Sequence, residues 1–124
     1  FYLTFAERVE TLKKELLTLL AELRSAGKTV AAYGASAKGS TLLNYFGIDS
    51  TVINFVVDRS PVKQGRYTPG THIPIRAPEA LLKERPDYVL LLTWNFEEEV
   101  LRQQEVYRQG GGKFIIPIPK LRVV

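Results

Sequence analysis

The 124-residue chain has no cysteine and no methionine, a single histidine and a single tryptophan. Without cysteine there is no disulfide framework and no thiolate metal site, and one imidazole is too few for a zinc cluster. No apolar run approaches the roughly 18 residues needed to span a membrane. No signal or transit pattern opens the chain, which points to a cytoplasmic protein. A dense basic stripe with interleaved aromatics is also lacking, which argues against nucleic acid as a partner. The start at Phe1, with no methionine anywhere, reads as a piece of something longer.

What is present describes an ordinary globular domain. Apolar residues make up 45% and charged residues 24% of the chain, and the length fits one domain with one core over 1–124. The net charge of +4 is modest. Between positions 36 and 66, however, Lys38, Arg59, Lys63 and Arg66 stand against Asp49 and Asp58. That asymmetry suits a small anionic ligand.

Periodicity predicts a long N-terminal helix over residues 1–27. Thr4 to Glu7 form a capping box, Phe5, Val9, Leu12, Leu16, Leu19, Leu20 and Leu23 recur at helical spacing, and Gly27 is the stop. An α/β core over 28–119 follows. Thr29–Tyr33 reads as a buried strand, and a helix through Leu42, Leu43 and Phe46 ends at Gly47. Val52–Val57 reads as a second strand with Asp58 at its carboxyl end. Residues 59–76 are broken by Pro61, Gly65, Pro69, Gly70 and Pro74, with only His72–Ile75 extended. Pro78–Glu84 reads as a short helix and Tyr88–Thr93 as a central strand. Asn95 is placed to cap a helix running to about Gln109, and Phe114–Ile116 is the last strand, leaving 120–124 as a tail. The alternation predicts an α/β, Rossmann-like three-layer sandwich with a mostly parallel sheet of about five strands in the order 3-2-1-4-5. The chain would then reverse its direction of travel between the first and fourth strands, opening a crevice at their carboxyl ends.

The loop YGASAKGST at 33–41 sits at that crevice. Gly34, Ser36 and Gly39 occupy the three positions of G-x-G-x-x-G with serine in the middle, where the added bulk disfavours a dinucleotide in the usual pose. Lys38-Gly39 reverses the order that a P-loop needs, and a lysine suits phosphate better than a sulfonium cofactor. A tight turn with an exposed lysine is the plain alternative. Asp58 could accept from a ribose or sugar hydroxyl, or simply end a strand. Arg59, Lys63 and Arg66 could clamp a diphosphate or lie solvated. His72 is the one side chain whose ordinary pKa suits proton transfer near neutrality, against the commoner loop histidine bonded to backbone. Trp94 could stack on a base or act as a hydrophobic staple. Glu97, Glu98 and Glu99 read as favourable charges at a helix start. No nucleophile elbow and no metalloprotease helix is present, so a ligand-binding domain is the bottom-up reading.

Taken together, YGASAKGSTLLNY at 33–45, DRSPVKQGRY at 58–67, PGTHIPI at 69–75 and WNF at 94–96 resemble one family, the C-terminal domain of the sugar C-methyltransferases. The likeness runs from about Thr11 to Pro119; Phe46 and Thr68 depart from it, the first where the family has a small residue and the second where it has an apolar one. The resemblance implies an enzyme of three parts: a zinc-binding segment, a central S-adenosylmethionine methyltransferase domain, and this domain. It implies no cofactor on this chain, a nucleotide-diphosphate sugar as ligand and the methyltransferase domain as intramolecular partner. Carried over by motif, Gly34, Ser36, Lys38 and Gly39 would approach the diphosphate, and Asp58, Lys63, Arg66 and His72 would line the same cleft. Tyr33, Asn44, Trp94 and Asn95 would stand behind them. No catalytic residue is assigned, His72 being only a weak candidate. The competing readings are a Rossmann module for NAD, coenzyme A or another nucleotide, and a docking domain that binds no ligand.

Overall fold

A computed structural model describes residues 4–124. Helix α1 spans Phe5–Ser25, and Thr4 caps it by accepting from the Glu7 N–H at 3.1 Å while its hydroxyl donates to the Glu7 carboxylate at 3.0 Å. Only the later turns of α1 enter the core, through Leu16, Leu20 and Leu23. Phe5 in its first turn is 75% exposed. After β1 (Val30–Tyr33) comes α2 (Ala37–Phe46), capped by Ser36 and ended by Gly47 in the left-handed region at φ 71°. There follow β2 (Val56–Val57), β3 (Ile75–Arg76), α3 (Ala80–Glu84) and β4 (Tyr88–Leu91). Beyond a 3-10 turn at Trp94–Phe96 come α4 (Glu97–Gln103), α5 (Glu105–Gln109), β5 (Lys113–Ile116) and β6 (Arg122–Val123).

The sheet has six strands in the order β3-β2-β1-β4-β5-β6. All pairs are parallel except β5 with β6. Its residues alternate between two cores, as strand geometry demands. Ala32, Val56, Leu90 and Ile115 pack with α1 and α2 on one face. Ala31, Tyr33, Val57, Val89, Leu91 and Phe114 pack with α3, α4 and α5 on the other. The three-layer α/β architecture and the order of the first five strands are those the alternation predicts.

Five local expectations are corrected. Val52 and Ile53 belong to a turn, not to a strand: Asp49 Oδ1 accepts from the Thr51 N–H and hydroxyl, and the Val52 and Ile53 N–H groups both donate to the Asp49 carbonyl. Asn95 caps nothing, because the chain leaves β4 as a 3-10 turn and α4 starts at Glu97 with no side-chain cap bond. The predicted single helix to Gln109 is interrupted at Gln104, and Pro78 lies two residues ahead of α3. Finally, the expected tail includes a strand, β6, whose antiparallel pairing with β5 covers what would have been an open edge.

At the amino ends of β1 and β4 a reciprocal clamp holds the sheet. Asp87 Oδ2 accepts from the Thr29 N–H at 2.8 Å and from its hydroxyl at 3.1 Å, and the Asp87 N–H donates to the Thr29 hydroxyl oxygen at 3.0 Å. The bond from the Thr29 backbone holds the Asp87 carboxyl below its ordinary pKa, outweighing the opposing desolvation. A carboxylate with a depressed folded-state pKa stabilises fully above its unfolded value of ~3.9 and loses that contribution as pH falls through the folded value. Urea unfolding of Asp87→Asn against the parent should therefore show a stability gap at pH 6 that closes below about pH 4. A gap of equal size at pH 3 would remove Asp87 as its source.

Candidate functional site

The site forms where the carboxyl ends of β1 and β4 lie side by side and the chain departs in opposite directions. Gly34 follows β1 at φ 97°, a conformation that L side chains rarely adopt, and a Cβ there would overlap the side chain of Thr93. Gly39, in the first turn of α2, lies so close to β4 that a Cβ would come within 2.7 Å of the Leu92 Cβ. These two glycines let the turn and the helix settle on the neighbouring strand. Ser36 completes the turn by accepting from the Gly39 N–H at 3.1 Å. The N-terminus of α2, with its free N–H groups and positive dipole end, thus opens onto the crest of the sheet. Lys38 stands exposed on that first turn.

Ala35, in the middle of the turn, is held from both sides by the loop after β2. Asp58 Oδ2 accepts from its N–H at 2.8 Å, and Lys63 Nζ donates to its carbonyl at 2.9 Å. Asp58 Oδ1 accepts from the Ser60 N–H at 2.8 Å, and the Gln64 amide donates to the Asp58 carbonyl at 2.9 Å. Asp58 and Lys63 therefore do meet the glycine turn, and their polar atoms bind its backbone. A carboxylate has about four acceptor positions, so Asp58 keeps capacity for a ligand beyond these two bonds.

One cavity borders the turn and two more lie farther out. A crevice of about 230 Å³ is lined by Tyr33, Gly34, Asp58, Arg59, Thr93, Phe96 and Glu99, among others. A shallow cavity of about 460 Å³ continues it past Arg59 and Gln103 toward Pro78 and Glu79. On the opposite face, an apolar groove of about 520 Å³ runs between α1 and α2, walled by Phe5, Val9, Tyr45, Phe46, Trp94 and Ile118 with Lys38 at its rim. Trp94 is packed against the α1–α2 core and also borders a polar hollow with Asn95.

Tyr33 and Thr93 both line the crevice, and their hydroxyl oxygens are themselves buried and without a hydrogen-bond partner. Burial pushes the Tyr33 phenol above its ordinary pKa, with the Arg59 guanidinium pulling the other way. The Gln104 amide lies close by without completing a bond in the geometry observed. The phenol is thus a neutral donor at physiological pH.

The other proposed ligand contacts lie apart. Asn44 is spent on structure: its amide donates to the Ser40 carbonyl at 2.9 Å and to the Pro69 carbonyl at 3.0 Å, fixing the 66–74 loop to α2. His72, on that loop at φ 55°, stacks face to face on Tyr67 with ring centroids 4.2 Å apart. Arg66 is exposed. None of these three borders the cavities described. Thr68, at a position expected to be apolar, is buried and satisfied: it shares a 2.6 Å bond with Thr71 and accepts from the Ile73 N–H. Thr93, Phe96, Glu99 and Gln103 were not singled out as ligand contacts from sequence. A threonine at the carboxyl end of a central strand was the one available sign, since open α/β sheets bind their ligands there.

Comparison with known proteins adds two findings. The C-methyltransferase C-terminal domain model matches residues 1–119. The C-methyltransferase NovU of Streptomyces niveus is 42% identical over 123 residues, which are 99% of this chain and 29% of that protein. The chain thus spans less than a third of the length of its curated relative.

Proposed function

The chain belongs to the family of C-methyltransferase C-terminal domains, and from that premise we propose that it holds a nucleotide-diphosphate sugar for methyl transfer catalysed by the rest of a longer, cytoplasmic polypeptide. The observation that carries this reading is the meeting of three elements at the crest of the sheet. They are the N-terminus of α2 with Lys38, the Gly34–Ser36 turn, and a crevice lined by Asp58, Arg59 and Glu99.

The diphosphate is assigned to the α2 end of the crest, where backbone N–H groups, the helix dipole and Lys38 attract negative charge. Ser36 and Gly39 shape this end, and Asp58 and Lys63 hold it in place. Arg66 and His72 stand on a loop that could reach the ligand only from outside the turn. In such a division of labour this chain binds and orients the sugar. The S-adenosylmethionine donor, a zinc-binding segment and the base that creates the carbon nucleophile belong to the other parts. The groove of Phe5, Val9, Tyr45, Phe46 and Trp94 is the apolar surface available to the methyltransferase domain, and Lys38 at its rim would place the phosphates beside that junction.

Calorimetry with inorganic pyrophosphate and with uridine and thymidine diphosphate sugars tests the assignment. Lys38→Ala should weaken binding about fivefold or more, the loss of one charge-assisted hydrogen bond worth about 1 kcal/mol. Equal affinity in the variant would remove Lys38 from the site. Silence toward every probe at millimolar concentration would count against the reading as a whole.

A further inference from the structure

Asp58 and Lys63 engage the two ends of one residue. The Asp58 carboxylate accepts from the Ala35 N–H at 2.8 Å, and the Lys63 ammonium donates to the Ala35 carbonyl at 2.9 Å. Both side chains rise from one closed turn: Asp58 Oδ1 accepts from the Ser60 N–H, and the Ser60 carbonyl accepts from the N–H groups of Lys63 and Gln64. Among the described residues the ion pairs are Arg76–Glu84 and Arg122–Glu97, so these two charges act on Ala35 and not on each other. Ala35 directly precedes the Ser36 cap of α2. Fixing the peptide groups on both sides of it sets where the first, unbonded N–H groups of that helix point.

We propose that Asp58 and Lys63 are positioning residues, which act on an anion at the start of α2 through the backbone of Ala35. The inference deepens the reading above and rests on it for the anion. Two observations select this role over that of ligand contacts. Both Asp58 oxygens already hold a backbone N–H, one from the glycine turn and one from its own loop. A carboxylate also repels a phosphate, so its place beside a helix start that attracts anions fits an anchor for the backbone and not a phosphate ligand. Lys63 completes the anchor from the carbonyl side of the same residue. The pair thus joins the loop after β2 to the aim of α2.

Calorimetry with inorganic pyrophosphate gives the two roles opposite signs. Asp58→Ala removes a negative charge beside the anion, so charge alone predicts tighter binding. With the hold on the Ala35 N–H gone, affinity should instead fall about fivefold. Lys63→Met should lower it by a similar factor, and Lys63→Arg, which can still donate to the carbonyl, should restore most of it. The double variant Asp58→Ala with Lys63→Met should lose little more than either alone, because both act at one residue. Without any ligand, the Ala35 and Gly39 amide hydrogens, held by Asp58 and by the Ser36 cap, should exchange about fivefold faster in both single variants, while the amides of β4 keep their parental rates. Lys63 is exposed, so Lys63→Met keeps the exchange readout in hand even where Asp58→Ala fails to fold. The proposal is overturned if Asp58→Ala binds pyrophosphate as the parent does or more tightly, if exchange at both amides is unchanged in Lys63→Met, or if the double variant loses the product of the two single losses. Silence of the parent toward pyrophosphate at millimolar concentration would remove the phosphate site and this assignment with it; parental affinity in the variants would remove this assignment alone.

Discussion

Replacing Gly34 by alanine is expected to cost about 3–5 kcal/mol of unfolding free energy, two separate penalties falling on one added methyl group. At φ 97° an L residue is strained by about 1–3 kcal/mol, and a Cβ forced onto the Thr93 side chain adds an overpacking cost of about 1–3 kcal/mol. The two can be separated. In a Thr93→Ala background the overlap is relieved and the strain is not, so a double-mutant cycle by urea unfolding should return a favourable coupling of about 1–3 kcal/mol between positions 34 and 93. Additive effects would show that the turn relaxes away from β4 instead of pressing on it. Since a domain of this kind has about 5–15 kcal/mol in all, the single variant should also unfold at a clearly lower temperature.

Leu16→Ala carries the second large effect. The side chain is fully buried on α1 against the sheet, in one cluster with Leu20, Leu43, Phe46 and Leu90. Truncating such a leucine leaves a cavity and costs about 2–5 kcal/mol. Phe5, three turns earlier on the same helix and three-quarters exposed, should change stability by no more than about 0.5 kcal/mol when cut to alanine. The contrast, read by urea titration of both variants, separates the half of α1 that builds this domain from the half that walls the apolar groove. Equal losses would mean that the first turns are as much a part of the core as the last.

The elements most legible in the sequence are those with a long pattern and punctuation at both ends. The leucines of α1 between Thr4 and Gly27, and the stretch from β1 through Ser36 to Gly47, are two such cases. Where pattern and punctuation part company, reading fails. Val52-Ile53 looks like strand because it is apolar, yet an aspartate three residues earlier folds it into a turn, and burial alone accounts for its hydrophobicity. Asn95 looks like a cap because it lies just ahead of three glutamates, yet the 3-10 turn holds it one residue short of Phe96, which takes the N-cap position of α4. β6 is two residues long and leaves no local pattern, since it exists only by pairing with β5. The candidate site divides the same way. The glycine turn and its meeting with Asp58 and Lys63 follow from strand order, which the βαβ pattern sets. Which polar atoms the fold itself consumes, as at Asn44, and which it leaves unpaired, as at Tyr33 and Thr93, depends on packing between distant segments and has no local mark.

The two bonds that grip Ala35 bear on how quickly the site can act. A turn whose N–H and carbonyl are both fixed by side chains from a neighbouring loop has little freedom left to surrender when a ligand arrives, and that saving appears as affinity without any added contact. It also removes a gate. For the ligand proposed above, encounter would then lead directly to capture, at the ~10⁵–10⁷ M⁻¹s⁻¹ typical of docking on a set surface or faster where charge steers it, and the time it stays would be governed by how it leaves.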